Sequence, residues 1–198
     1  MSRPPTRRLP PWSHARVLPW PFRLLRLLAC TSVLLGAATA SLAQPAGGAA
    51  DEYRLKAAFL LNFATFTTWP EGVGDTLEVC VYGGDPFGAH LDQIAAARKA
   101  GTRALRVARV NSVDALDDCQ MVFVARGMIG NLARVLDRIE GRAALTVADS
   151  PGALDAGVML NMDSASGRIS FAANLAAARR QGLGLSARLL NLATEVRQ

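Results

Sequence analysis

Four short apolar runs rich in β-branched residues, at 77–82, 103–110, 121–125 and 144–148, alternate with stretches of helical spacing. No other feature constrains the fold as much. Strands separated by helices pair in parallel, because a parallel neighbour is reached by a crossover that lays a helix on a sheet face. Asp85-Pro86 follows the first run and opens a helix reaching about residue 99. Aspartate caps free backbone N–H groups there, and proline loses nothing in the first turn. Residues 113–117 read as a short acidic turn or helix. Leu132, Val135, Leu136 and Ile139 mark a helix over 129–139, closed by Gly141.

The flanks differ from this middle. Leu55, Ala58, Phe59, Asn62, Phe63 and Phe66 recur at three- and four-residue spacing, predicting a helix over 51–66 whose aromatic stripe faces the core. Trp69-Pro70 ends it, since proline disfavours helical geometry in the residue before it. Residues 44–50 form a flexible spacer. In the last third, strands at 158–162 and 168–172 are joined by a hairpin loop over 163–167. Residues 175–181 and 186–196 then read as a terminal helix broken at Gly182-Leu183-Gly184. The expectation is one three-layer α/β domain over 51–198, with a mostly parallel sheet, an antiparallel C-terminal hairpin and flanking helices.

Residues 1–43 stand apart. They hold Arg3, Arg7, Arg8, Arg16, Arg23 and Arg26 but no acid, and end in an apolar run followed by Ser41-Leu42-Ala43. Basic start, apolar run and small residues at the cut are the order of a secretory signal peptide, with cleavage after Ala43 and a periplasmic product. An uncleaved anchor would need a longer, greasier span. Leu27-Leu28-Ala29-Cys30 resembles a lipoprotein cleavage site, but most of the apolar run follows Cys30 rather than preceding it. Removing the six leader arginines from the 22 Lys and Arg leaves 16, matching the 16 Asp and Glu. A neutral body has no general attraction for phosphate, so nucleic acid is excluded as a partner. The processed chain keeps Cys80 and Cys119. In an oxidising compartment they are either two buried thiols or one bridge, which would close 39 residues and stabilise the fold by about 4 kcal/mol.

Chemistry is hard to place in this chain. Gly83-Gly84-Asp85-Pro86-Phe87-Gly88 sits where a phosphate loop would, yet it lacks the spacing of one, and Asp85 would repel the ligand. His90 is the one histidine after residue 43 and has no cysteine or second histidine near it to build a zinc site. Asp149-Ser150, followed by Pro151-Gly152, reads as turn chemistry, and Asp117-Asp118 as a solvated loop. Asp85, Asp118 and Asp149 all adjoin strand segments and could form a receiver-type acidic cluster. The lysine such a site needs has only Lys56 and Lys99 to draw on. The reading is a non-enzyme with no catalytic residue, metal or cofactor. An exported hydrolase would have to use His90 or Asp149.

Certain segments carry a likeness. Lys56-Ala57-Ala58-Phe59-Leu60-Leu61-Asn62-Phe63-Ala64 with Trp69-Pro70 resembles the opening helix of the YfiR family of periplasmic repressors. The likeness continues through 77–83, 85–88, 119–124, 145–149, 167–175 and 183–193. The resemblance implies a compact α/β domain, often a homodimer, that acts by protein contact. Its partner would be the periplasmic sensor region of an inner-membrane diguanylate cyclase, which it holds inactive, setting cyclic-di-GMP, exopolysaccharide and biofilm output. An outer-membrane, peptidoglycan-binding lipoprotein can sequester such a repressor. Cys80 and Cys119 match the family's cysteines on the first and third strands, which supports the bridge. Positions matching a second pair, around 150–161, hold no cysteine. Phe171, Leu175, Leu183, Leu185 and Leu189, with the first helix, are the candidate contact surface. The alternative is a small-ligand-binding module that feeds a sensor kinase or transporter.

Overall fold

The computed structural model describes residues 47–198. The signal peptide expected over 1–43 and the fate of Cys30 lie outside the described residues. Helix α1, Gly47–Thr65, starts inside the stretch read as a spacer. Its side facing the sheet buries Ala57, Leu60, Leu61, Phe63 and Ala64. The last-turn carbonyls, which have no partner within the helix, are taken by side chains. Thr67 Oγ1 donates to Phe63 O (2.7 Å) and Trp69 Nε1 to Ala64 O (3.0 Å).

The strands that follow are β1 (Thr67–Thr68), β2 (Thr76–Tyr82), β3 (Lys99–Ala100), β4 (Arg103–Val110), β5 (Met121–Val124) and β6 (Leu145–Ala148). Helix α2 (Ala89–Ala96) lies between β2 and β3, and α3 (Leu132–Ile139) between β5 and β6. After β6 come β7 (Leu160–Ala165), β8 (Arg168–Asn174), α4 (Leu175–Arg180), β9 (Gly184–Leu185), α5 (Ala187–Leu190) and β10 (Glu195–Arg197). The main sheet has the order β10-β8-β7-β6-β5-β2-β4-β3. Its five central strands, β4-β2-β5-β6-β7, are all parallel. Hairpin strand β8 runs antiparallel to β7, and β3 antiparallel to β4. The fold is therefore the mixed, mostly parallel α/β arrangement expected.

Period-two alternation divides the sheet's side chains between two cores. Leu77, Val79 and Val81 of β2 point to the face covered by α1 and α2, where Phe63, Leu91, Phe87 and Phe123 gather. Cys80 and Tyr82 point to the opposite face, under Leu132, Val135 and Ile139 of α3. Strands β5 and β6 are buried along their whole length, as strands covered on both faces must be. The Cys80–Cys119 disulfide lies within the second core, joining β2 to the connection that enters β5, with Cα atoms 5.8 Å apart. The bridge reading thus holds over two separate thiols.

Several boundaries move. Expected helix 85–99 shortens to α2, because Asp85 Oδ1 accepts from Phe87 N (2.8 Å) in a local turn and Gly88 precedes the helix at φ 57°. The expected five-residue hairpin loop shrinks to Ser166-Gly167, both at positive φ (53° and 74°), the backbone a two-residue hairpin turn requires. The expected helix 186–196 is wrong over most of its length. Only α5 is helical, and Glu195–Arg197 adds a parallel strand beside β8. Thr194 N and Oγ1 both donate to Phe171 O, at 2.8 and 3.0 Å, and turn the chain onto the sheet edge.

Candidate functional site

In chain order the parallel strands run second-first-third-fourth-fifth across the sheet. Neighbouring connections therefore diverge at the carboxyl ends of β2 and β5, the place where open α/β sheets hold ligands. Two polar features occupy that edge, one on each face.

On the α1 face, Asp149 leaves the end of β6 with its side chain fully buried. Its Oδ2 accepts from Lys56 Nζ at 2.6 Å and from Tyr53 Oη at 2.9 Å, both on α1. Arg126, just after β5, reaches the same oxygen at 3.2 Å and donates to Asp149 O at 3.0 Å. Lys56 is also fully buried and pairs with Glu52 at 2.5 Å, one helical turn earlier. Burial, followed by the hydrogen bond to Asp149, pushes the Tyr53 hydroxyl up to about 12, so it stays a donor. The Tyr53 ring packs edge-on against Phe87, which packs against Phe123 (centroids 5.6 and 4.8 Å). With two cations and two carboxylates the group is balanced, and all the side-chain contacts of Asp149 converge on Oδ2. Its chemistry is to fasten α1 to the sheet.

The turn expected at Asp149-Ser150 forms from Ser150 onward, where Ala153 N donates to Ser150 O at 3.2 Å, but the Asp149 side chain belongs to a buried ion pair that the turn reading missed. The signal for it lay in Lys56, one of two lysines in the chain, set beside Ala57 and one turn before Leu60 on a buried helix side. The receiver-type cluster does not form as such a site. Asp149 is held by Lys56, Asp85 pairs with Arg109 at 2.9 Å, and Asp118 is exposed. His90 lies half-buried in α2. Among the described residues no group of three His, Cys, Asp or Glu side chains could hold a metal ion.

On the α3 face, a cleft of about 640 Å³ opens between the ends of β2 and β4 and the start of α3. Tyr82, Ser112, Asp114, Asn131, Arg134 and Asp137 line it. Met128 closes its side toward the Gly83 loop. Gly83 has φ 98°, and a Cβ there would lie 2.3 Å from Met128 Cγ. The Met128 side chain thus packs directly against the backbone of this loop at Gly83. Gly83→Ala is expected to destabilise the fold by about 2–4 kcal/mol, combining left-handed backbone cost with overpacking. Urea unfolding would measure it. Adding Met128→Ala should return the packing share and leave the backbone share, whereas wild-type stability of the single variant would contradict this account.

Of the candidate contact residues, Phe171, Leu175, Leu183, Leu185 and Leu189 are all at least nine-tenths buried. Phe171 packs against Phe63, with centroids 5.0 Å apart. These side chains belong to the core, so they do not form an exposed contact surface. The exposed large hydrophobics among the described residues are Leu55 on α1, half-exposed, and Leu192 after α5.

Fold and site together define a disulfide-bridged, mostly parallel α/β domain whose ligand-side edge carries a closed ion-pair cluster on one face and an open polar cleft on the other. The chain belongs to the YfiR/HmsC-like family, whose model matches residues 53–194. No curated protein matches it. Among solved structures, a conserved domain protein from Vibrio cholerae O1 biovar El Tor is similar at 9% identity and TM-score 0.50, over 73% of this chain and 60% of that one. The ABC domain in complex with L-Trp from Streptococcus pneumoniae is similar at 9% identity and TM-score 0.52, over 71% of this chain and 60% of that one. This chain thus spans about 60% of each of those proteins, and at such identity the likeness is one of fold.

Proposed function

We propose that this chain is a periplasmic repressor that binds the periplasmic sensor region of an inner-membrane diguanylate cyclase and holds the enzyme inactive. The family match over residues 53–194 carries this reading. The disulfide suits an oxidising compartment, and among the described residues no helix is long and apolar enough to cross a membrane. Repression needs only a preference for the inactive sensor conformation, and a tenfold preference requires about 1.4 kcal/mol. A homodimer is the working form, and an outer-membrane, peptidoglycan-binding lipoprotein would relieve repression by competing for it.

The contact face belongs on the first half of α1. Leu55 is 50% exposed and borders, with Ile169 of β8, a groove of about 480 Å³ between α1 and the β7–β8 hairpin. An aliphatic side chain left half in water at the rim of a groove costs little to cover and gains about 25 cal/mol per Å² when covered. Binding of the exported chain to the purified sensor region tests the reading. Leu55→Asp is expected to weaken binding about tenfold or more while leaving stability within about 0.5 kcal/mol. Unchanged affinity in Leu55→Asp would move the contact elsewhere, and no binding by the parent chain would remove the repressor reading.

The α3-face cleft favours a second reading, a small-ligand-binding module that reports to a sensor kinase or transporter, because it lies where sheets of this order hold ligands.

A further inference from the structure

We infer that the α3-face cleft takes a small dipolar solute, one carrying a carboxylate and an ammonium a few bonds apart; this inference rests on the small-ligand reading and is independent of the cyclase. The charges lining the cleft lead to this class. Arg138 is tied to Asp117, but Arg134 forms no ion pair among the described residues. Asp114 and Asp137, also on the lining, form none either. The cleft therefore presents one uncommitted guanidinium and two uncommitted carboxylates. A simple anion would meet both carboxylates, and a simple cation would meet Arg134. A zwitterion can satisfy both signs together, and a guanidinium fits a carboxylate with two parallel hydrogen bonds.

Neutral groups beneath complete the fit. Tyr82 Oη accepts from Asn131 Nδ2 at 3.1 Å, which leaves the phenolic proton free to donate. Asn131 keeps its carbonyl as an acceptor. Ser112 Oγ accepts from Asp114 N at 3.2 Å, so its hydroxyl proton is available, and this bond fixes the turn that presents the Asp114 carboxylate. Val113 and Met128 supply apolar wall for a short side chain. The Cys80–Cys119 bridge belongs to the same buried cluster as Tyr82 and Leu116 and ties the strand that carries Tyr82 to the connection entering β5. A preformed floor reduces the ordering cost of binding.

Thermal shift on the exported full-length product would screen the standard L-amino acids, glycylglycine and glycine betaine at millimolar concentration, with calorimetry on each compound that raises the midpoint. At least one zwitterion should bind, and its N-acetyl and carboxamide derivatives should bind about tenfold more weakly or worse, as loss of a charge-assisted hydrogen bond requires. Arg134→Gln should weaken it similarly, as should Asp114→Asn or Asp137→Asn, while all three exposed variants keep the parent midpoint without ligand. If the one-charge derivatives bind as well as the zwitterion, or all three variants bind like the parent, the assignment falls and the small-ligand reading stands. If nothing in the set shifts the midpoint, both fall.

Discussion

Replacing Lys56 by methionine is expected to cost about 3–5 kcal/mol of stability, the loss that follows when one partner of a buried ion pair is removed. Lys56 and the Asp149 side chain are both fully buried and 2.6 Å apart. In Lys56→Met the Asp149 carboxylate would keep only Tyr53 and the half-exposed Arg126, and its Oδ1 already has no hydrogen-bond partner among the described residues. Asp149→Asn should cost a similar amount, because the ammonium of Lys56 would keep only Glu52 as a charged partner. The pairing itself is not strongly stabilising, since both ions were taken out of water. The double variant Lys56→Met with Asp149→Leu is therefore expected to recover most of the loss. Urea unfolding of Lys56→Met, of Asp149→Leu and of the double gives the coupling energy directly. Additive losses would contradict an ion pair at this position.

The same tie has a pH signature. The hydrogen bond from Lys56 holds the Glu52 carboxyl below its ordinary value of 4.5. A carboxylate with a lowered folded-state pKa contributes stability that is fully present above its unfolded value and is lost as pH falls through the folded one. Acid should thus loosen the start of α1, and Lys56→Met should reduce Glu52's share of that dependence, with the contributions of Ser164 and Arg126 remaining. Because α1 also carries Leu55, the ion pair positions the proposed contact face without touching the partner.

Loss of the disulfide is the second large effect. Replacing both Cys80 and Cys119 by alanine is expected to cost about 4 kcal/mol, because the bridge removes the freedom of a 39-residue loop from the unfolded chain. For a domain of this size that is roughly 8–16 °C in the unfolding midpoint. Each single substitution should cost nearly as much as the double, since either one opens the loop. Reductant should lower the midpoint of the parent and leave the double variant unmoved. Both sulfur-bearing residues are buried, at 1% and 5% exposure, so reduction should be slow until the protein opens. A double variant that melts with the oxidised parent would show that the bridge does not constrain the unfolded chain.

The sheet was legible because its signal is local. In β2, Val79 and Val81 alternate with Cys80 and Tyr82, and in β5 every residue is apolar, so both pattern types point to strand without tertiary knowledge. The C-terminal end misled for the same reason. Leu185, Leu189 and Leu192 have helical spacing, yet Leu192 is 67% exposed and the chain leaves the helix before it, drawn onto the sheet by hydrogen bonds from Thr194. That choice depends on the free edge of β8, which no local window contains. The site was less legible than the fold. Asp149 lies 93 residues from Lys56, and nothing in Asp149-Ser150-Pro151-Gly152 separates a solvated turn from a buried carboxylate. The leucines of the C-terminal unit read as a contact surface because the extent of the core between α1 and β8, where Phe63 meets Phe171, is not visible from composition.

The central claim, that this chain represses a diguanylate cyclase by binding its sensor region, is tested most directly by cellular cyclic-di-GMP with and without the chain. Deletion should raise cyclic-di-GMP, the parent chain supplied back should lower it, and Leu55→Asp, exported at the same level, should fail to do so. Equal cyclic-di-GMP in all three strains, with the exported protein present in the periplasm, would contradict the account.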